Sequence, residues 1–178
     1  METKLIAFHG DPAIKAKYID SIRFHREAEH LIQGIGWDDS DRTKVRGCAV
    51  GCTLETYDHS RYPIELGLPE WLARLEDKIF EGLPAAEAQD WPESFLEAIQ
   101  PGAQLESVRH KLAVRRMDRL IVLQTANLGK HGKEVDKAIG LVLTAMQQVR
   151  ACHESESAES AAWIQEAADL LALLREAE

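Results

Sequence analysis

The chain reads as an all-α protein of about six helices, and three observations carry that expectation. Apolar residues recur at helical spacing from Asp11 onward, whereas alternating apolar and polar residues are confined to a short piece near residues 4–8. Helix start and stop chemistry recurs at Asp11-Pro12, at Pro69 and at Gly82-Leu83-Pro84. An apolar content of 45% beside 29% charged residues is that of an ordinary globular chain, and 178 residues suffice to bury a core. Strand content near zero follows, and a central sheet of three or more strands would contradict it. The chain reads as a single domain over 1–178, with a loop-rich N-terminal part packed with a C-terminal bundle of three longer helices. Pro101-Gly102 marks a sub-boundary between a motif-bearing region, 1–100, and the helical bundle, 103–178.

Leu5-Ile6-Ala7-Phe8 reads as a short extended lead-in. Asp11 then caps a helix with Pro12 at its first position, where the fixed φ and missing N–H do no harm. Ile14, Tyr18, Ile22, His25, Ala28 and Ile32 share one face of it, up to a stop at Gly34 and Gly36. His25 therefore lies within the apolar stripe and His30 near the opposite side. Trp37 to Asp41 reads as a solvated loop, because its aspartates lack the glycine and final glutamate of a calcium-binding loop.

The best-bounded helix starts at Pro69 and stops at Gly82, which the pattern places in the left-handed conformation before Leu83 and Pro84. Leu72, Leu75 and Ile79 repeat along it, flanked by Trp71 and Phe80. After an alanine-rich piece, Asp90 caps a short helix from Glu93 to Ile99. Three long helices follow. The first, at about 104–127, carries two apolar stripes: Leu105, Val108 and Leu112 on one side, Val114, Met117, Leu120 and Ile121 on another. Such a helix either kinks or meets two neighbours. The second carries Val135, Ile139, Val142, Met146 and Val149, after a Gly129–Lys133 turn that lacks the spacing of a phosphate loop. The last sets Trp163, Ala167, Leu170, Leu171 and Leu174 against an acidic face, a ridge suited to tight packing within the chain or in a dimer.

Chemistry points first to Cys48 and Cys52. Three residues separate them, so a helical segment would put both thiols on one face, a turn apart. They could ligate a metal, zinc above all, with His59 or Asp58 from the following loop and His25 from the neighbouring helix completing a tetrahedron. A reactive thiol is a second reading, although adjacent Asp58 and His59 would have to fold back on one another to serve as base and orienting group. The third reading is core packing, since buried cysteine behaves as a small hydrophobe and Gly47, Ala49 and Gly51 let elements approach closely. The packing reading expects no cofactor.

Charge and composition bound the partners. The net charge of −9 disfavours general binding to nucleic acid or acidic membrane. Residues 103–133 hold seven Lys/Arg against Glu106 and Asp118, a local +5 that leaves −14 elsewhere. Within it, Arg109, Arg115, Arg116 and Arg119 are the one hint of a nucleic-acid surface, and no binding motif accompanies them. No apolar run reaches membrane-spanning length. Three cysteines without a secretion signal argue for free thiols in the cytoplasm. Two functional classes stay open: a non-enzymatic helical interaction or regulatory protein that self-associates through its C-terminal helix, or a metal- or thiol-based site at Cys48 and Cys52 with a nearby histidine.

The run Gly47-Cys48-Ala49-Val50-Gly51-Cys52-Thr53 is followed by His59, Tyr62, Glu65-Leu66-Gly67 and Pro69. Leu72-Ala73-Arg74-Leu75-Glu76-Asp77 and Ile79-Phe80-Glu81-Gly82-Leu83-Pro84 complete it, and Phe8-His9 and Asp11-Pro12 precede it. Together these resemble an uncharacterised family of bacterial and prophage proteins, over roughly the first hundred residues. The resemblance implies a family and no reaction.

Overall fold

The computed structural model describes residues 5–155. The last helix read from the sequence, with Trp163, Leu170 and Leu174, lies outside the described residues. The described chain is all-α, with seven α-helices and one sheet of two two-residue strands. It divides into two compact units, Met1–Leu105 and Glu106–Glu178. The Pro101-Gly102 turn belongs to the first, where Gly102 N–H donates to Ala7 O and Ala7 N–H to Ala103 O, both at 2.9 Å.

In the first unit, α1 (Pro12–Glu27) starts as its cap chemistry dictates, the Asp11 carboxylate accepting from Ala13 N–H at 2.8 Å. It ends earlier than the periodicity suggests. Glu29 takes a left-handed φ of 57°, and His30 to Ile32 leave the helix to pair with Gly47. Gly47 N–H donates to His30 O and Ile32 N–H to Gly47 O, so the backbone bonds that would have extended α1 are made sideways instead. Strands β1 (Trp37–Asp38) and β2 (Arg46–Gly47) pair antiparallel beside this contact.

Next come α2 (Ala49–Leu54), all of it buried, α3 (Arg61–Glu65) and α4 (Glu70–Gly82). Pro69 sits at the cap of α4, but Gly82 is not left-handed: the chain leaves through Leu83 at φ −77°. The carbonyls at this helix end are met by a side chain, Gln33 donating to Phe80 O at 2.6 Å and Leu83 O at 2.9 Å. Helix α5 (Ala85–Ala98) is continuous, with Pro92 inside it and fully buried. Asp90 therefore caps nothing; it pairs with Arg26 at 3.3 Å.

Phe8, Ile22, Leu31, Tyr62, Leu66, Leu68, Phe80 and Leu96 are fully or almost fully buried and form one core with α2. Each contributes roughly 1.5–3 kcal/mol by leaving water. Around this core, Glu93 on α5 is held between Arg23 and Arg26 of α1, and Lys15 donates to the carbonyls of Glu97 and Ile99 at the end of α5. The expected extended lead-in is instead a tight turn, Ala7–Gly10, in which Phe8 and His9 both adopt φ 52°. Burial of Phe8, and its N–H bond to Leu66 O, hold that costly backbone in place.

The second unit, among the described residues, is a hairpin of α6 (Glu106–Thr125) and α7 (Lys133–Ser155). Ala113, Val114, Met117, Leu120 and Ile121 of α6 are half-buried, as are Ile139, Leu143, Met146 and Val149 of α7. These two stripes lie at helical spacing on helices in contact with each other. No described helix is long and apolar enough to cross a membrane.

Candidate functional site

The close packing of α2 explains the small residues of the Gly-Cys-Ala-Val-Gly-Cys run. A Cβ on Gly51 would stand 1.9 Å from Gly36 O, and one on Gly47 would meet the Trp37 ring at 2.8 Å and Cys52 Sγ at 3.2 Å. The backbone of α2 is pressed against the 36–37 segment, and only glycine fits.

This packing separates the two thiols. Cys48 is the cap of α2, its sulfur accepting from Gly51 N–H at 3.4 Å. Cys52, one turn on, directs its thiol to Gly47 O at 3.4 Å. Both cysteines are buried and neither is in a disulfide. Burial pushes both thiols up, Cys48 well above its ordinary range with the Asp77 carboxylate adding to the effect, and Cys52 to about 12. Thiols so placed stay protonated, the opposite of what a nucleophile requires.

The four side chains read from the sequence as metal ligands do not gather at one point. Cys48 and His59 meet at Asp77 of α4, while His25 pairs with His30. Among the described residues no three His, Cys, Asp or Glu side chains are arranged to hold a metal ion.

Asp77 is the centre of the first group. Its Oδ2 accepts from Tyr57 OH at 2.9 Å and lies 3.3 Å from His59 Nε2, and its carboxylate is near enough to the Cys48 thiol to raise the thiol's pKa. Asp58 is engaged elsewhere, accepting from the Ser60 N–H and hydroxyl at 3.0 and 2.6 Å, as a loop and cap residue does. Glu76, beside Asp77 on α4, is fully buried and accepts from Tyr62 OH at 2.5 Å. Desolvation, helped by the neighbouring Asp77 charge, pushes its carboxyl up to about 8 against the opposing bond from Tyr62. Glu76 Oε1 and Asp77 Oδ1 are buried with no hydrogen-bond partner. The result is a polar seam inside an apolar core.

The second group was not legible in the sequence. His25 Nδ1 and His30 Nδ1 stand 2.9 Å apart, and His25 Nε2 lies 3.6 Å from Glu55 Oε1. Helical phase put His30 on the far side of α1; the early end of α1 and the turn at Glu29 bring it back. Burial, and then the charge of His30, lower the His25 pKa against the pull of Glu55. The hairpin holds a similar pair, His110 and His153, with Nδ1 atoms 3.2 Å apart.

No family model matches this chain, and neither a curated protein sequence nor a solved structure does.

Proposed function

We propose that the chain is a cytoplasmic, non-enzymatic helical interaction or regulatory protein that self-associates through its C-terminal part. One observation carries this reading: neither α6 nor α7 buries a single residue among the described ones. Two helices of about 30 and 35 Å in length, touching along one stripe each, leave their other apolar stripes uncovered. On α6 this second stripe runs Val108, Leu112, Arg115, Arg119 and Val122, all exposed, and Leu141 of α7 is 68% exposed. The arginines on α6 make no ion pair among the described residues; the pairs on this hairpin are those of Arg150 with Asp118 and Glu154.

The occupant we assign to this face is a second copy of the chain. The residues after Ser155 are rich in alanine and leucine and hold Glu156, Glu159, Glu166, Asp169, Glu176 and Glu178 against Arg175. Their composition complements an apolar face edged with arginine, and a self-complementary contact between copies closes without leaving an open end. Sedimentation velocity of the full chain tests this. A dimer or larger assembly at micromolar concentration, reduced to monomer by Val122→Glu with Leu141→Lys at unchanged helicity, supports the reading. A monomer at high micromolar concentration removes it.

A second reading, a metal- or thiol-based centre using Cys48 or Cys52, is favoured by one feature, the meeting of Cys48 and His59 at Asp77. Metal analysis of the purified protein separates the two. Stoichiometric zinc or iron, lost on Cys48→Ala or Cys52→Ala, would support the centre; a stability loss without release of any ion supports space-filling thiols.

A further inference from the structure

We infer that His25 and His30 form a two-imidazole site for a borderline divalent transition ion such as Zn²⁺, Ni²⁺ or Cu²⁺, with Glu55 as the carboxylate that orients His25. The site uses neither cysteine and no residue of the hairpin.

The geometry starts from tautomers. Two imidazole Nδ1 atoms 2.9 Å apart cannot both carry a proton, nor can both be bare without an electrophile between them. Glu55 decides which ring donates. Its Oε1 lies 3.6 Å from His25 Nε2, so the proton of His25 belongs on Nε2, facing the carboxylate. The Nδ1 lone pair of His25 then points toward His30, and His30 supplies the proton that the two nitrogens share.

A metal ion fits where that proton sits. Metal–imidazole bonds of about 2.0–2.1 Å meeting at angles between square and tetrahedral place the two nitrogens about 2.8–3.4 Å apart. The observed spacing falls within that range. On binding, His30 moves its proton from Nδ1 to Nε2 and both rings coordinate as neutral imidazoles, so no charge is lost from the protein. Water fills the remaining positions. Imidazole donors favour zinc, nickel and copper over magnesium or calcium.

The surroundings support the role. His25 is 3% exposed, held by edge contacts with Phe24 and Trp37, and its Nε2 has no hydrogen-bond partner within normal distance. A short closing movement of Glu55 would complete the carboxylate–histidine–metal arrangement that orients ligating histidines.

Isothermal titration of the full chain with Zn²⁺ and with Cu²⁺ at neutral pH tests the assignment, with Trp37 as a second reporter. Its ring lies 5.5 Å from that of His25, close enough for bound Cu²⁺ to quench its fluorescence. Saturable binding is expected, weakened tenfold or more by His30→Asn, at a half-buried position, and about tenfold by Glu55→Gln. His59→Asn and His110→Asn should leave it unchanged. The assignment is overturned if the full chain binds neither ion, if His30→Asn binds as tightly as the parent, or if His110→Asn abolishes binding and so moves the ion to the hairpin.

Discussion

The two units solve the problem of burial in opposite ways. The first builds a core in which polar groups, Glu76, Glu93, His25 and Thr53, are buried along with the apolar ones. Among the described residues the hairpin buries nothing, although its helices are the longest of them. Helices of this length draw most of their stability from packing an amphipathic face. The first unit is therefore set up to stand on its own contacts, and the hairpin, on the function proposed above, to draw on a second copy. Chemistry follows the same division: buried polar groups with altered protonation in the first unit, apolar and basic surface in the second.

The largest expected effect probes the cost of over-burial. The folded state holds Glu76 protonated up to about pH 8, whereas the free carboxyl titrates at 4.5. The folded form therefore keeps a proton that the unfolded form releases. The stability tied to that proton is complete below pH 4.5, falls as pH rises, and is lost once pH passes about 8. A shift of that size corresponds to about 5 kcal/mol across the window. Glu76→Gln keeps an acceptor for Tyr62 and removes the titration, so the variant should gain on the parent steadily from pH 5 to pH 8. Urea unfolding at several pH values measures the difference, and parallel curves for parent and variant would contradict the burial argument.

Gly51→Ala is next, at about 3 kcal/mol of destabilisation. The added methyl group would meet backbone, Gly36 O at 1.9 Å, and backbone of a buried helix yields less readily than a side-chain tip. Gly82→Ala is the control, since a Cβ there has nothing within 4 Å. A full-length Gly51→Ala protein melting with the parent would show that α2 is looser than its burial implies.

The hairpin should respond to concentration instead. Amides of α6 and α7 are expected to gain hydrogen-exchange protection as protein concentration rises, while those of α4 and α5 stay constant. Val122→Ala should cost the monomer no more than about 0.5 kcal/mol, because the side chain is 69% exposed. Protection independent of concentration would make the two units alike and remove the contrast.

What the sequence displayed was local. The starts of α1 at Asp11-Pro12 and of α4 at Pro69 follow from cap residues whose effect reaches only one turn, whereas the end of α4 is closed by Gln33 from a distant loop and not by a left-handed Gly82. The two apolar stripes of α6 were visible for the same reason, and one of them is indeed the half-buried stripe of the hairpin. Glu76 was missed because a carboxylate at helical spacing reads as a solvated face, and only the three-dimensional neighbours of α4 show it lies inward. The helix read from Glu93 began too late because proline interrupts an isolated helix, whereas packing holds α5 together across Pro92. The Gly36–Gly51 approach involves residues distant in sequence and leaves only a smallness at both positions as its trace. His30 was misplaced by extending a helical phase past the point where the backbone abandons it.

That abandonment supplies the smallest and most local prediction. Glu29 is exposed and holds φ 57°, a conformation that costs an ordinary L-residue about 1–2 kcal/mol and glycine almost nothing. Part of the relief is returned through the greater freedom glycine has when unfolded, so Glu29→Gly should stabilise the protein by about 0.5–1 kcal/mol. The turn would be kept, and with it the approach of His30 to His25. Glu29→Pro cannot adopt the positive φ and should both destabilise the unit and separate the two rings. Melting temperatures give the first comparison, and copper quenching of Trp37 gives the second. If Glu29→Gly melts below the parent, the left-handed turn at Glu29 is not what returns the chain from α1 to β2.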